Sequence, residues 1–124
     1  MATTLFLVAV GGAIGAMFRY LSVIAALRLF GAHLPWGTLF VNVAGSLVMG
    51  VLAAIILERL GPVRGHYFLM TGVLGGFTTF SAFSLDVLML IEKGRLAAAT
   101  AYIGGSVALS ILALALGLWL GRSA

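Results

Sequence analysis

The side chains able to carry acid–base or metal chemistry are few and lie far apart in the sequence. The acids are Glu58, Asp86 and Glu92, the histidines are His33 and His66, and cysteine is absent. They form no paired carboxylates, no nucleophile–base spacing and no metal-ligand cluster, so we do not expect an enzyme. Because Asp86 falls near the end of an apolar segment, we expect it to pair with a neighbouring basic residue rather than to carry protons.

The polar residues inside the apolar segments are mostly uncharged hydrogen-bonding groups. Asn42 lies well inside the second apolar segment, where its amide donors need partners, either on another helix or along a pore. Tyr102, Ser106 and Ser110 are spaced four residues apart and fall on one narrow helical stripe. This stripe favours a ladder of hydroxyl donors along a water-filled path, although serine also bonds harmlessly to carbonyls of its own helix.

Two aromatic side chains and one arginine complete this set. Phe80 and Phe83 are three residues apart and share a helix face, where they either pack or turn their positive ring edges towards an anion. Arg19 lies about 24 Å along the first segment, which places it near the far interface or in a wet vestibule. It is either a snorkelling anchor or an attractor of anions at a pore mouth.

The elements that must position these side chains are membrane spans. Of the 124 residues, 63% are hydrophobic and 8% are charged, and the mean hydropathy is +1.24, which leaves too little charge for a soluble domain. Four apolar segments, at residues 4–30, 36–57, 65–91 and 96–120, are each long enough to cross a bilayer. We expect one all-α membrane domain over residues 1–124, with no cleaved signal peptide and no nucleic-acid site.

The third segment has the composition of a helix that stops and restarts. Gly75 and Gly76 are predicted to end one helix through the left-handed conformation open to glycine, and Thr78 and Thr79 to cap the next. A break at membrane depth leaves backbone groups that only protein, water or an ion can satisfy. Broken helices recur at ion and substrate sites, so the sequence predicts an ion pathway built on this break.

Small residues recur at positions four apart along three of the four segments. Glycine, alanine and serine at this spacing let helices approach closely in lipid, where packing drives their association. The pairs that predict close packing are Gly11 with Gly15, Gly12 with Ala16, Ser46 with Gly50, and Gly117 with Gly121.

Positive charge is divided almost evenly between the two ends of the predicted bundle. With four crossings, one side carries Arg59, Arg64 and Arg122, and the other carries Arg28, Lys93 and Arg95. Lys/Arg asymmetry normally fixes orientation, so this chain could insert both ways and pair with its inverted copy. Ordinary one-way insertion with a weak signal is the alternative.

Two motifs make the sequence similar to a known family. Gly72-x-x-Gly-Gly-Phe-Thr-Thr-Phe-Ser-x-Phe-Ser84 and Gly37-Thr-Leu-x-x-Asn-x-x-Gly-Ser46 together resemble the Fluc (CrcB-type) fluoride channels of prokaryotic membranes. The resemblance extends over the whole chain, including its length, the four spans, the arginine of the first span and the hydroxyl stripe of the fourth. It departs at Ala82, where the family often has threonine, a change that bears on pore hydration or helix packing.

The resemblance implies an antiparallel, dual-topology homodimer in the inner (cytoplasmic) membrane, with two passive pores that export fluoride. By motif position, the pore residues would be Asn42, Thr79, Phe80, Phe83, Tyr102, Ser106 and Ser110, with Arg19 near the vestibule. The backbone carbonyls of Gly75 and Thr78 would hold a structural Na⁺ on the dimer axis, where two carbonyls per chain supply four oxygens. The alternatives are a small dual-topology multidrug exporter and a structural membrane subunit without a transport role.

Overall fold

The computed structural model describes residues 1–61 and 64–124, and every regular element in that part of the chain is helical. The helices are α1 (Ala2–Phe30), α2 (Trp36–Leu60), α3 (residues 64–77), α4 (Phe80–Glu92) and α5 (Leu96–Ser123). Both α2 and α3 contain wider π-helical turns, at Ala53–Leu60 and Tyr67–Leu74. The all-α prediction is confirmed for the described residues. The breaker Gly61-Pro62 had predicted a loop at residues 58–64; residues 58–60 instead end α2, and residues 62 and 63 lie outside the described residues.

Four helical stretches of the described chain are long and apolar enough to cross a bilayer. They are Ala2–Phe30, Trp36–Leu60, Tyr67–Glu92 and Leu96–Ser123, each with 25 to 29 residues, where about 20 are needed. The third stretch includes the predicted break and consists of most of α3 together with α4. The four predicted spans are confirmed, with the second and the fourth each three residues longer than expected, and the chain is a multi-pass membrane protein.

Helix α1 packs against α3 through glycines on both helices. A Cβ atom added at Gly76 would lie 2.5 Å from the carbonyl oxygen of Gly12, and one added at Gly72 would lie 3.0 Å from the Cα of Gly11. A Cβ at Gly15 would lie 2.9 Å from the backbone nitrogen of Phe77. Only glycine permits this separation, so the predicted small-residue face of α1 is confirmed.

Helix α2 packs against α5 in the same way. A Cβ at Gly117 would lie 3.0 Å from the Cα of Gly50 and would collide with the carbonyl oxygen of Leu47. One helical turn further on, a Cβ at Gly121 would lie 2.6 Å from the Cβ of Ala54. Gly50, Gly117 and Gly121, from the predicted small-residue pairs, therefore lie at this contact, and the fold consists of two glycine-packed helix pairs.

The predicted interruption of the third span is present, but it lies two residues beyond the glycines. Thr78 (φ −85°, ψ 158°) and Thr79 (φ −153°, ψ 122°) are extended between the end of α3 and the start of α4. Gly75 has ordinary right-handed helical angles (φ −62°, ψ −39°). The prediction that left-handed glycines end the helix is therefore wrong: the threonines form the break, and Gly76 serves the contact with α1.

Side-chain contacts join the helix ends. At one end of the bundle, the Arg122 guanidinium donates to both carboxylate oxygens of Glu58 at 2.8 and 2.9 Å, and Arg59 donates to the Arg122 carbonyl. At the other end, Arg95 donates to the His33 carbonyl and lies 2.8 Å from its Nε2. Exposed ion pairs contribute only about 0–1 kcal/mol to the free energy of unfolding, so these contacts set the relative positions of the helix ends more than they stabilise the fold.

We expect Gly117→Ala to destabilise the protein, because the new methyl group would meet the backbone of α2; overpacking of this kind costs roughly 1–3 kcal/mol. Gly104→Ala, on the same helix but with no heavy atom within 4 Å of the added Cβ, is the matched control. Unfolding midpoints of both variants in detergent measure the difference. Equal midpoints would show that α2 and α5 are not in backbone contact.

Candidate functional site at the helix break

The amide of Asn42 replaces the missing helical partners of Thr79. The Thr79 backbone N–H donates to Asn42 Oδ1 at 2.7 Å, and Asn42 Nδ2 donates to the Thr79 carbonyl at 2.9 Å. Asn42 lies inside α2, so this pair of bonds ties the break to a different helix. An amide side chain is suited to the task because it offers an acceptor and donors together. Of the two roles that the sequence left open, the structure shows the interhelical contact.

The hydroxyls of the two threonines satisfy further backbone groups. Thr79 Oγ1 accepts from the N–H of Ala82 at 3.1 Å and so caps α4, as predicted. The N–H and the hydroxyl of Thr78 both donate to the Leu74 carbonyl, at 3.0 and 2.9 Å. Each side of the interruption is thus closed by a side chain from the break itself.

Arg19 reaches the break from α1. Its Nε donates to the Gly76 carbonyl at 2.9 Å, in a partly buried setting. Eleven more residues of α1 follow Arg19, or roughly 16 Å of helix, so it contacts the break from the interior of α1 and not from its end. The position is set by packing, because Arg19 follows Gly15 by four residues and therefore lies on the face that contacts α3.

Two carbonyls at the break lose the donors that a continuous helix would give them. In such a helix the N–H of Thr79 would donate to Gly75 and that of Ala82 to Thr78. The first donates instead to Asn42 and the second to Thr79 Oγ1. The carbonyls of Gly75 and Thr78, which the family resemblance assigns to a cation, are thereby released from helical bonding.

A groove of about 400 Å³ runs along α5 beside the break. Six of the predicted pore residues line it, namely Asn42, Thr79, Phe80, Phe83, Ser106 and Ser110; Arg19 and Tyr102 are not among the lining residues. Apolar side chains form much of the remaining wall, including Met49, Val107, Ile111 and Leu114. The arrangement is a mostly apolar cleft with a few neutral polar groups, which is typical of small-ligand sites.

The two phenylalanines lie side by side at the groove, which confirms that they share a helix face. Their ring centroids are 5.6 Å apart and the rings are inclined by 45°. Phe83 is buried and packs on the ring of Tyr102 at 5.2 Å, whereas Phe80 is 78% exposed. Because little of the chain packs on the Phe80 ring, this ring can contact a ligand in the groove or the surface of another molecule.

Ser106 differs from other hydroxyl residues of α5. Ser106 is buried, and its hydroxyl has no hydrogen-bond partner among the described residues. By contrast, Thr100 and Ser123 donate to the carbonyls four residues earlier in the same helix. Bonding of this kind was the alternative role considered for the serines of the Tyr102–Ser106–Ser110 stripe. An unpaired buried hydroxyl is unfavourable, and Ser106 therefore has a donor and an acceptor free for a ligand in the groove.

Tyr102 donates its hydroxyl to Asp86 Oδ2 at 3.0 Å. Within the described residues Asp86 makes no ion pair, so the predicted salt bridge with a basic neighbour is wrong. Asp86 and Thr38 line a second cavity of about 250 Å³ at the N-terminal end of α2. Neither was predicted as a site residue, although signals were present: Asp86 follows Phe83 by three residues, and Thr38 precedes Asn42 by four on one helix face.

Comparison with known proteins shows what the chain is similar to. Residues 6–118 match the family model described as CrcB-like protein, Camphor Resistance (CrcB). A protein of Chelativorans sp. (strain BNC1), named fluoride-specific ion channel FluC, is 56% identical over 120 residues, 96% of each chain. Proteins with the same name from Agrobacterium fabrum and Nitrobacter winogradskyi are 51% identical over 118 residues (94% of each chain) and 47% identical over 121 residues (97% of this chain, 96% of the relative).

We expect Asn42→Leu to loosen the break, because two backbone groups would lose their partners at roughly 1–3 kcal/mol each. Hydrogen exchange of a peptide covering residues 78–82 should become faster, and exchange in α5 should not change. Ser46→Ala, one turn along α2 on the same groove, is the control. Unchanged exchange at 78–82 in Asn42→Leu would contradict the interhelical contact.

Proposed function

The chain belongs to the CrcB-like family, and we propose that it is a passive fluoride-selective channel in which two antiparallel copies enclose two pores. Near-full-length similarity to proteins named fluoride-specific ion channel supports the ion. One observation indicates where in the molecule the pore lies: the hydroxyl of Ser106 is buried without a partner, in the same groove as Asn42 and Phe83. A polar group left unpaired in an apolar wall is expected where a ligand completes it.

The chemistry of this groove suits a small, strongly hydrated anion. A selective path has to replace the water around fluoride with several donors, each weak enough to release it. Asn42 uses one amide N–H on the Thr79 carbonyl and keeps the second for a ligand. The Ser106 hydroxyl supplies another donor, and Ser110 continues the line one turn further along α5. The ring edges of Phe80 and Phe83 add a weak positive field.

We assign the region of Tyr102 to the continuation of the path. Tyr102 packs on Phe83 of the first groove and donates to Asp86, which lines the second cavity. Tyr102 thus contacts one lining residue of each cavity, although it lines neither cavity itself. An anion arriving there competes with a carboxylate for the same proton, which keeps its binding weak and favours its release.

The antiparallel pairing is supported by charge and by exposure. Arg59 and Arg122 lie at one end of the bundle, and Arg28, Lys93 and Arg95 at the other, so the charge signal for one orientation is weak. Phe80 and much of the groove face outwards from a single chain. A second, inverted copy would cover them and complete each pore, as inverted repeats do within one chain.

The released carbonyls of Gly75 and Thr78 fit a structural Na⁺ shared by the two copies. Uncharged backbone oxygens are suitable ligands for a hard cation, and these two have lost their helical donors to Asn42 and Thr79. When bound, the ion would supply positive charge that satisfies carbonyls from both chains. The residues of this chain hold the break in the extended form that leaves those carbonyls free.

The main rival is a small multidrug exporter, which also has four spans and inserts both ways. Coupled export needs a carboxylate inside a span, and residues 5–18 of the first span contain none. Asp86 is held by Tyr102 near the end of its span. A structural subunit without transport is the second rival, and fluoride efflux from liposomes distinguishes the channel from both.

We expect liposomes loaded with fluoride and carrying the protein to release fluoride, read with an ion-selective electrode, and to retain chloride. Phe80→Ile and Phe83→Ile should each suppress the efflux while leaving the dimer intact in size-exclusion chromatography, because they remove the ring edges. Phe6→Ile, at an exposed ring of α1, is the control. Absence of fluoride efflux from the unaltered protein would reject the proposed function. Normal efflux in both groove variants would show that the two rings only pack and do not contact the ion.

A second prediction separates conduction from stability. Ser106→Ala removes an unpaired hydroxyl, so the folded state should be as stable or more stable, while fluoride efflux should fall by about 3- to 10-fold, the value of one hydrogen bond in a rate. Thr100→Val, which removes a hydroxyl bonded within α5, should leave efflux unchanged. Wild-type efflux in Ser106→Ala would show that the hydroxyl does not face the ion.

A further inference from the structure

We propose that Arg19 is a positioning residue for the cation site, which it shapes by holding the Gly76 carbonyl away from the ion, rather than an attractor of anions at the pore mouth. This inference rests on the proposed channel and on its shared cation. It concerns a side chain that the sequence placed near a vestibule and that the structure places at the break. The bond from Arg19 Nε to the Gly76 carbonyl, at 2.9 Å, is its starting point.

Along the last turn of α3, carbonyls that accept a hydrogen bond lie on either side of one that has lost its helical donor. The Leu74 carbonyl accepts two bonds from Thr78, and the Gly76 carbonyl accepts the bond from Arg19. Between them, the Gly75 carbonyl has lost its helical donor to Asn42. A carbonyl that already binds a charged donor is a poor ligand for a second cation. Arg19 therefore helps to select which oxygens of this turn remain for the ion.

The backbone around Arg19 leaves it little freedom to act elsewhere. Gly15, four residues earlier, approaches the backbone of Phe77 so closely that an added Cβ would lie 2.9 Å from its nitrogen. Gly12 is in similar contact with Gly76. This packing fixes α1 against the end of α3, so the arginine is aimed at the break by the helix contact itself.

The chemistry of arginine is matched to this role. Its guanidinium is planar and always charged, and it directs its donors in a rigid fork, whereas lysine carries a compact, mobile charge. A residue that only attracts anions would be replaced well by lysine, because the charge is kept. A residue that orients one carbonyl would not, because the direction of the donor is lost.

The test measures sodium binding without transport. Thermal unfolding of the purified dimer in detergent is followed over a series of NaCl concentrations, with choline chloride keeping ionic strength constant. We expect Na⁺ to raise the unfolding midpoint of the wild type, and Arg19→Met to require about tenfold more Na⁺ for half of this effect, the equivalent of one hydrogen bond. Arg19→Lys should lie between them. Arg28→Met, which removes an exposed charge from the same helix, should match the wild type.

Two results would overturn the inference. One is an identical sodium requirement in wild type, Arg19→Met and Arg28→Met; the other is a wild-type dimer whose stability does not respond to Na⁺. If Arg19→Met does not yield a folded dimer, Arg19→Lys decides, and a wild-type sodium requirement in that variant overturns the proposal. Fluoride efflux from the wild type is measured in parallel: its absence rejects the channel, whereas efflux with an unaltered sodium response rejects only the role of Arg19.

Discussion

The structure depends on one constraint, which is that backbone polar groups at membrane depth need partners from the protein. A continuous helix pairs all of its own N–H and carbonyl groups, whereas a broken helix leaves some of them without helical partners. Each of these groups must then bond to another part of the protein. Here the partners come from two other helices and from the break itself: Asn42 of α2 binds both backbone groups of Thr79, Arg19 of α1 binds the Gly76 carbonyl, and Thr79 caps α4. The break is therefore a junction that holds the bundle together as well as an interruption.

The glycine contacts and the polar contacts have separate tasks. Glycines bring α1 to α3 and α2 to α5 at backbone distance, which makes two rigid helix pairs. The polar side chains then connect those pairs at the break. Because α2 and α5 form one wall and the break forms the other, the groove follows from this arrangement. The two serines that α5 contributes to it lie on turns that do not carry the glycine contact.

The sequence predicted the features that depend on composition and period. The four spans, the interruption, the small-residue contacts and the shared face of Phe80 and Phe83 all follow from local spacing. It failed where tertiary partners decide. The helix-ending role of Gly75 and Gly76 was wrong: both residues lie within the helix, and the missing side chain of Gly76 serves the contact with α1. The partners of Arg19 and Asp86 belong to other helices, so spacing within one segment could not identify them.

The π-helical turns at Ala53–Leu60 and Tyr67–Leu74 have a consequence for how the chain tolerates changes in length. A π-type turn closes its hydrogen bonds over five residues instead of four and so takes up roughly one extra residue relative to an α-helix. Removing a single residue there could restore regular α-helical winding while the Asn42 side of α2 and the break keep their angular phase. We therefore expect a one-residue insertion or deletion in either stretch to shift only the turns between that stretch and the nearby helix end, and to leave the register of the interior turns unchanged.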